Sequence, residues 1–205
     1  FVAEQAPEAM ADVDAQARQY GVFSARYGNV YTVAQALQLF ERAYGRFTPA
    51  EAPWARGEVL VDPFRPLVEP HGFADAAALE ADRARHLAAT RSVFEDSDVF
   101  VFTLGLTEAW RSRADGAVFA TAPGVNGGRW DPERYEFVNF GVDEVRGGLF
   151  ALCESIRSVN PDVRILLTVS PVPLIATYED RHVLVSTTAS KAVLRVAADE
   201  AHRRF

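Results

Sequence analysis

Cysteine is almost missing from this chain: Cys153 is the only one among 205 residues. That excludes an internal disulfide and any cysteine-based zinc site. Cys153 sits among Leu149, Leu152 and Ile156, the setting of a buried and inert thiol, and a lone thiol of this kind fits the cytoplasm. No run approaches the roughly 20 apolar residues that span a bilayer. No signal peptide is read at the start, where the chain opens on Phe1 like a piece excised from a longer one. Positive charge is in deficit: 21 Lys and Arg against 28 Asp and Glu give a net charge of −7, which argues against nucleic acid or an anionic membrane as partner. A Walker loop, Gly-x-Gly-x-x-Gly, Gly-x-Ser-x-Gly and histidines at metal-ligand spacing are all lacking. Neither a nucleotide cofactor nor a metal is therefore expected.

What is present is an ample core, with 49% hydrophobic residues, in a length that suits one domain over residues 1–205. The first twenty residues are rich in Ala and acids and read as a weak helix or loop. Thr32 and Gln35 form a capping-box pattern, followed by Val33, Leu37, Phe40 and Tyr44 at helical spacing. Residues 45–53 read as a loop and Val59-Leu60-Val61 as a short strand. A long helix is expected from Asp75 to Phe94, with Leu79, Leu87 and Phe94 on one face.

The run Val99 to Leu104 is apolar at almost every position, as in a parallel strand covered on both faces. Arg164 to Ser170 has the same character, and the well-patterned helix Asp143 to Val159 between the two makes a βαβ crossover. Residues 111–141 read as an excursion, a hairpin in outline, with β-like runs at Ala117–Thr121 and Phe137–Phe140. A final helix is expected from Thr188, with Thr188 as its N-cap. Two strands and part of a third are few for this core, so strands are expected to be missing at one or both ends.

The polar residues of interest gather where the first apolar strand ends. Gly105 lets backbone approach a ligand closely. Thr107 offers a hydroxyl to a developing oxyanion, or else closes a turn on its own backbone. Glu108 suits acid–base work or orients a histidine, or else caps a helix beginning near Ala109. Trp110 walls a pocket or anchors the core. Ser170 ends the second strand on the same rim, which in an open α/β sheet is where ligands bind. Gly28 and Asn29 precede a helix N-terminus, where free N–H groups suit an anion, though Gly-Asn is also an ordinary turn. His182 lies beside Glu179 and Asp180 as a general-base candidate or as a plain surface histidine. His71, His86 and His202 have no partner pattern and read as surface residues. Thr188 to Lys191 imitates Ser-x-x-Lys spacing with Thr in place of the nucleophile.

Several segments taken together resemble the GSCFA domain family, a branch related to the SGNH (GDSL-type) hydrolases. They are Ser24 to Thr32, Asp62-Pro63-Phe64-Arg65-Pro66, Phe102 to Trp110, Thr168 to Leu174, and Ser190 to Arg195. The resemblance implies a three-layer α/β/α fold with a mostly parallel sheet, SGNH-hydrolase-like and incomplete at its ends. It implies an acyl-ester hydrolase or acyltransferase ancestry, with a small-molecule or carbohydrate acyl ester as substrate and no cofactor. In such enzymes a serine attacks the acyl carbonyl, a Gly and an Asn help form the oxyanion hole, and a late Asp-x-x-His supplies the base. Thr107 stands at the Asn position and Gly28 is the candidate for the Gly. The Gly-Ser-Cys-Phe-Ala motif itself is absent, Phe1-Val2-Ala3 being either its tail or a coincidence. No late Asp-x-x-His appears, since Asp180-Arg181-His182 is one residue short. A non-catalytic ligand-binding module on the same fold is the alternative.

Overall fold

Helix α1 (Val33–Ala43) begins where its sequence says it should. The Thr32 hydroxyl accepts from Gln35 N at 3.2 Å, and Gln35 Oε1 accepts from Thr32 N at 3.2 Å. This reciprocal box satisfies orphan donors of the first turn and leaves Val33, Ala36 and Phe40 pointing inward. The computed structural model describes residues 17–18 and 20–205, so most of the stretch read as a weak helix or loop lies outside the described residues. After α1 come the short strands β1 (Trp54–Arg56) and β2 (Val59–Val61), then helix α2 (Ala76–Asp96). β3 (Val99–Leu104), β4 (Glu108–Ser112), β5 (Val118–Phe119) and β6 (Tyr135–Asn139) follow. Helix α3 (Val142–Val159), β7 (Arg164–Val169) and helix α4 (Val183–Arg204) complete the chain.

The expected crossover is present. β3 and β7 pair in parallel, from Val99 opposite Arg164 to Leu104 opposite Val169, with α3 between them in sequence. Phe102 and Leu104 join residues from α1, α3 and α4 in the main core, against which Phe100, Ile165, Leu167 and Val169 also pack. The opposite face is open: Val99 is 41%, Val101 57% and Leu166 52% exposed. Among the described residues the apolar run is therefore covered on one side. Only one helical layer lies on this sheet among the described residues, and the chain is a mixed α/β structure with one parallel pair and two small antiparallel sheets.

The excursion is a three-stranded antiparallel sheet in the order β5-β4-β6. It starts at Glu108, three residues before the expected boundary, so Glu108 opens a strand and caps no helix. Its buried residues Phe119 and Tyr135 pack with Trp54 of β1 and Val61 of β2 in a second core. Gln38 ties it to α1 by donating to Gly116 O and accepting from Val118 N, which supplies the edge of β5 with side-chain hydrogen bonds.

Helix α4 begins five residues before the expected Thr188. His182 is the N-cap, its Nδ1 accepting from Leu184 N at 3.2 Å, and the Thr188 hydroxyl donates back to Leu184 O within the helix. The β-branched Val183 and Val185 obscured this start, since such residues favour strands when read alone. Cys153 is buried as expected, and burial pushes its thiol up to about 11.

His86 contradicts its reading as a surface residue. It is 2% exposed on the inner face of α2, which carries Asp82, His86 and Thr90 rather than the expected Leu87. Apolar periodicity misses a helix whose buried face is partly polar. Burial, with Arg65 adding to it, holds the imidazole well below its ordinary value. The unfolded chain then takes up a proton below about pH 6.5 that the folded chain refuses. Stability is expected to fall as pH drops through that value, by up to about 1.4 kcal/mol per pH unit from this group. Urea unfolding in chloride-free buffer between about pH 5 and 7 should show this slope, and His86→Gln should remove it.

Candidate functional site

The carboxyl end of β3 is tied down on every side. Gly105 N and Leu106 N both donate to Tyr31 O, at 3.1 and 2.9 Å. A Cβ on Gly105 would lie 3.0 Å from that same oxygen, which is why a glycine stands there. Lys191 Nζ donates to Gly105 O at 2.7 Å, and burial lowers the pKa of this ammonium. Ser190 Oγ accepts from both Thr107 N and Thr107 Oγ1, at 3.3 and 3.0 Å. Thr107 is 1% exposed, so its hydroxyl faces α4. The segment Ser190-Lys191 thus receives the strand end, a role that spacing alone did not reveal. Thr107→Val is expected to cost about 1–2 kcal/mol through the lost hydrogen bond. Thermal unfolding of the variant measures it.

Glu108 is 9% exposed, and its Oε1 accepts from the Thr177 hydroxyl at 2.6 Å. The connection from β7 to α4 is strapped across the small sheet at this point. Asn139 of β6 donates to Glu179 at 2.9 Å, and the Tyr178 ring meets Trp110 edge-on at 4.7 Å. Trp110 also contacts Trp130 and Phe137, so it serves both a packing role and a partly open aromatic surface, with Trp130 41% and Tyr178 66% exposed. Ser170 N closes the ladder onto Leu104 O, while Ser170 Oγ accepts from Val172 N. His182 is exposed at the start of α4.

Gly28 and Asn29 lie in the loop before α1, beside the middle of β3 rather than its end. They line a cavity of about 300 Å³ with Tyr31, Phe100, Phe102 and Thr103. The cavities that these two residues line include neither Thr107, Glu108 nor Ser170. Tyr31 links the two groups of candidates: it lines the first cavity with Gly28 and Asn29, and its carbonyl receives Gly105 and Leu106. Gly28 is buried with φ +68, a left-handed backbone that glycine adopts without strain. Neither Gly28 nor Asn29 forms a hydrogen bond among the described residues, so the Gly28 N–H and the exposed Asn29 amide are available donors.

This turn is held from beneath by a buried ionic network. Arg26 adopts φ +51, a costly value for a residue with a Cβ, and sends its guanidinium to Asp82 at 2.7 Å and Glu69 at 2.6 Å. Arg65 reaches Asp82 at 2.8 Å, Asp62 at 2.9 Å and the carbonyl of Arg26 at 3.3 Å. Burial pushes the Asp62 carboxyl up, but Arg65, Arg83 and Arg42 together outweigh it and hold the group well below the usual carboxylate range. Asp62 and Arg65, three residues apart, fall within the Asp-Pro-Phe-Arg-Pro segment. Asp82 has no local signal, because it joins the network only through the placement of α2.

Among the described residues no group of three His, Cys, Asp or Glu side chains could hold a metal. No helix among them is long and apolar enough to cross a membrane. The model of the GSCFA family matches residues 5–205 of the chain. No curated protein and no solved structure matches it.

Proposed function

The chain belongs to the GSCFA family, and from that premise we propose that it forms the oxyanion side of a serine-dependent acyl-ester hydrolase or acyltransferase. The observation that carries this reading is the Gly28–Asn29 turn: one buried backbone N–H and one side-chain amide, both without partners among the described residues, beside a cavity of small-ligand size. When a serine oxygen adds to an acyl carbonyl, the carbonyl oxygen gains negative charge. Fixed donors there stabilise the transition state more than the ground state. The nucleophile is assigned to the Gly-Ser-Cys-Phe-Ala segment that names the family and that the sequence shown does not contain. Thr107 then holds the strand end to α4, and Glu108 anchors the strap at Thr177.

The proposal takes the fold as SGNH-like, with the exposed face of Val99, Val101 and Leu166 as the side on which a second helical layer packs. One observation favours the alternative of a non-catalytic binding module. Every backbone and hydroxyl donor from Gly105 to Thr107 is already used within the protein.

Release of p-nitrophenolate from short-chain p-nitrophenyl esters by the full natural chain separates the two. The hydrolase reading predicts saturable turnover. No turnover, with a known esterase active alongside, favours the binding module.

A further inference from the structure

We propose that the pocket between Asn29, Gln35, Arg42, Arg65 and His86 binds one small monatomic anion, of chloride or bromide size, and that His86 takes up a proton with it. The cavity measures about 20 Å³. A volume of that order has room for one small occupant, and a chloride or bromide ion fits it. Two of the residues lining it carry a fully buried atom without a partner among the described residues: Arg42 Nη2 and His86 Nε2. Arg42 is 8% and His86 2% exposed.

The charge balance favours an anion over a neutral occupant. Of the four guanidinium groups here, Arg26, Arg65 and Arg83 pair with the three buried carboxylates Asp62, Glu69 and Asp82, which the more exposed Arg18 and Arg85 also meet, and Arg42 is the fourth. Glu80, which also pairs with Arg83, is more than half exposed. Arg42 alone of the four has no ion pair among the described residues. It lies instead over the Phe64 ring, 4.0 Å from the centroid. Burial brings Arg42 down to about 10, which leaves it charged near neutral pH. Asp62 acts on Arg42 only through space, and a buried charge without a direct partner is costly for a fold to hold. Gln35 adds a further donor, because its Oε1 is taken by Tyr31 N and Thr32 N while its NH2 has no partner among the described residues.

His86 couples the site to protons. Its Nδ1 lies 2.7 Å from Ala25 O and must carry the hydrogen of that contact, so in the neutral ring Nε2 presents a lone pair. A lone pair repels an anion, whereas a protonated Nε2 donates to it. The groups around His86 are Asp82, Arg83 and Thr90 on α2, Asp62 and Arg65 after β2, Arg42 on α1, and Arg26 and Tyr27 beside Ala25. An anion offsets Arg42 and Arg65, which disfavour the imidazolium.

The inference does not draw on acyl transfer, and its readouts are stability and scattering, so either proposal can fail alone. Thermal unfolding is compared in sodium chloride and sodium gluconate at equal ionic strength, at about pH 5.5 and about pH 8. Chloride should raise Tm by about 3 °C at the lower pH and by less at the higher, and Arg42→Gln should abolish the difference. Crystals soaked in bromide should give an anomalous peak between Arg42 and His86, a result that needs no variant to fold. Equal Tm in both salts, a chloride effect undiminished in Arg42→Gln, or no bromide peak at that position would overturn the proposal in favour of a water.

Discussion

Asp82→Asn is expected to destabilise the protein by about 3–5 kcal/mol, the largest effect of any single substitution considered. The Asp82 carboxylate accepts from both Arg26 and Arg65, and all three side chains are at least 95% buried. The amide fits the same space but removes the negative charge, leaving two buried guanidinium groups short of a partner. Breaking a buried pair from one side costs far more than the pair contributes net, because the surviving charge stays desolvated. Urea denaturation measures the loss. A control from the surface sharpens the contrast: Glu154 pairs with Arg204 where both are 52% exposed. Glu154→Gln should shift stability by no more than about 1 kcal/mol, since solvent screens such pairs. The Asp82 change should also reach the site. Arg65 donates to the Arg26 carbonyl, and Arg26 leads directly into the Gly28–Asn29 turn. A variant that still folds should therefore lose activity beyond its unfolded fraction.

Asn29→Ala is expected to lower kcat by about 10²- to 10³-fold while KM changes little. Negative charge develops on the carbonyl oxygen as serine adds to it. The Asn29 amide would meet the oxyanion only once the carbonyl has become tetrahedral, so its loss falls on the transition state and spares substrate binding. Asn29 is exposed and makes no hydrogen bond among the described residues, so stability should move by less than about 0.5 kcal/mol. Thr107→Val should behave in the opposite way, losing stability and keeping kcat, because the Thr107 hydroxyl is given to Ser190. Steady-state kinetics on the two variants distinguishes the Gly28–Asn29 turn from the strand end as the seat of the chemistry. If Thr107→Val lost kcat and Asn29→Ala did not, the oxyanion assignment would pass to the strand end.

Much of the fold could be read from local pattern. The Thr32–Gln35 box placed α1, the apolar runs at 99–104 and 164–169 gave the parallel pair, and the spacing of Val145, Leu149, Leu152 and Ile156 gave α3. These elements bury an apolar face, and burial leaves its period in the sequence. What escaped was of two kinds. The inner face of α2 carries Asp82, His86 and Thr90, so its burial depends on Arg26 and Arg65, which arrive from distant segments. The start of α4 depends on a histidine cap ahead of a β-branched run. Of the site candidates, Gly105, Thr107 and Glu108 were recognisable as a strand terminus. That their polar groups would be consumed by Tyr31, Ser190 and Thr177 follows only from tertiary placement. Gly28 and Asn29 announced a turn. Their lack of hydrogen bonds among the described residues, which makes them the better candidates, follows only from tertiary placement.

The most direct test of the central claim is fluorophosphonate labelling of the full natural chain, with the labelled residue identified by mass spectrometry. One labelled serine is expected, in a Gly-Ser-Cys-Phe-Ala segment, reacting far more slowly in Asn29→Ala. Labelling at Ser24 or Ser170, or labelling at the same rate with and without the Asn29 amide, would contradict it.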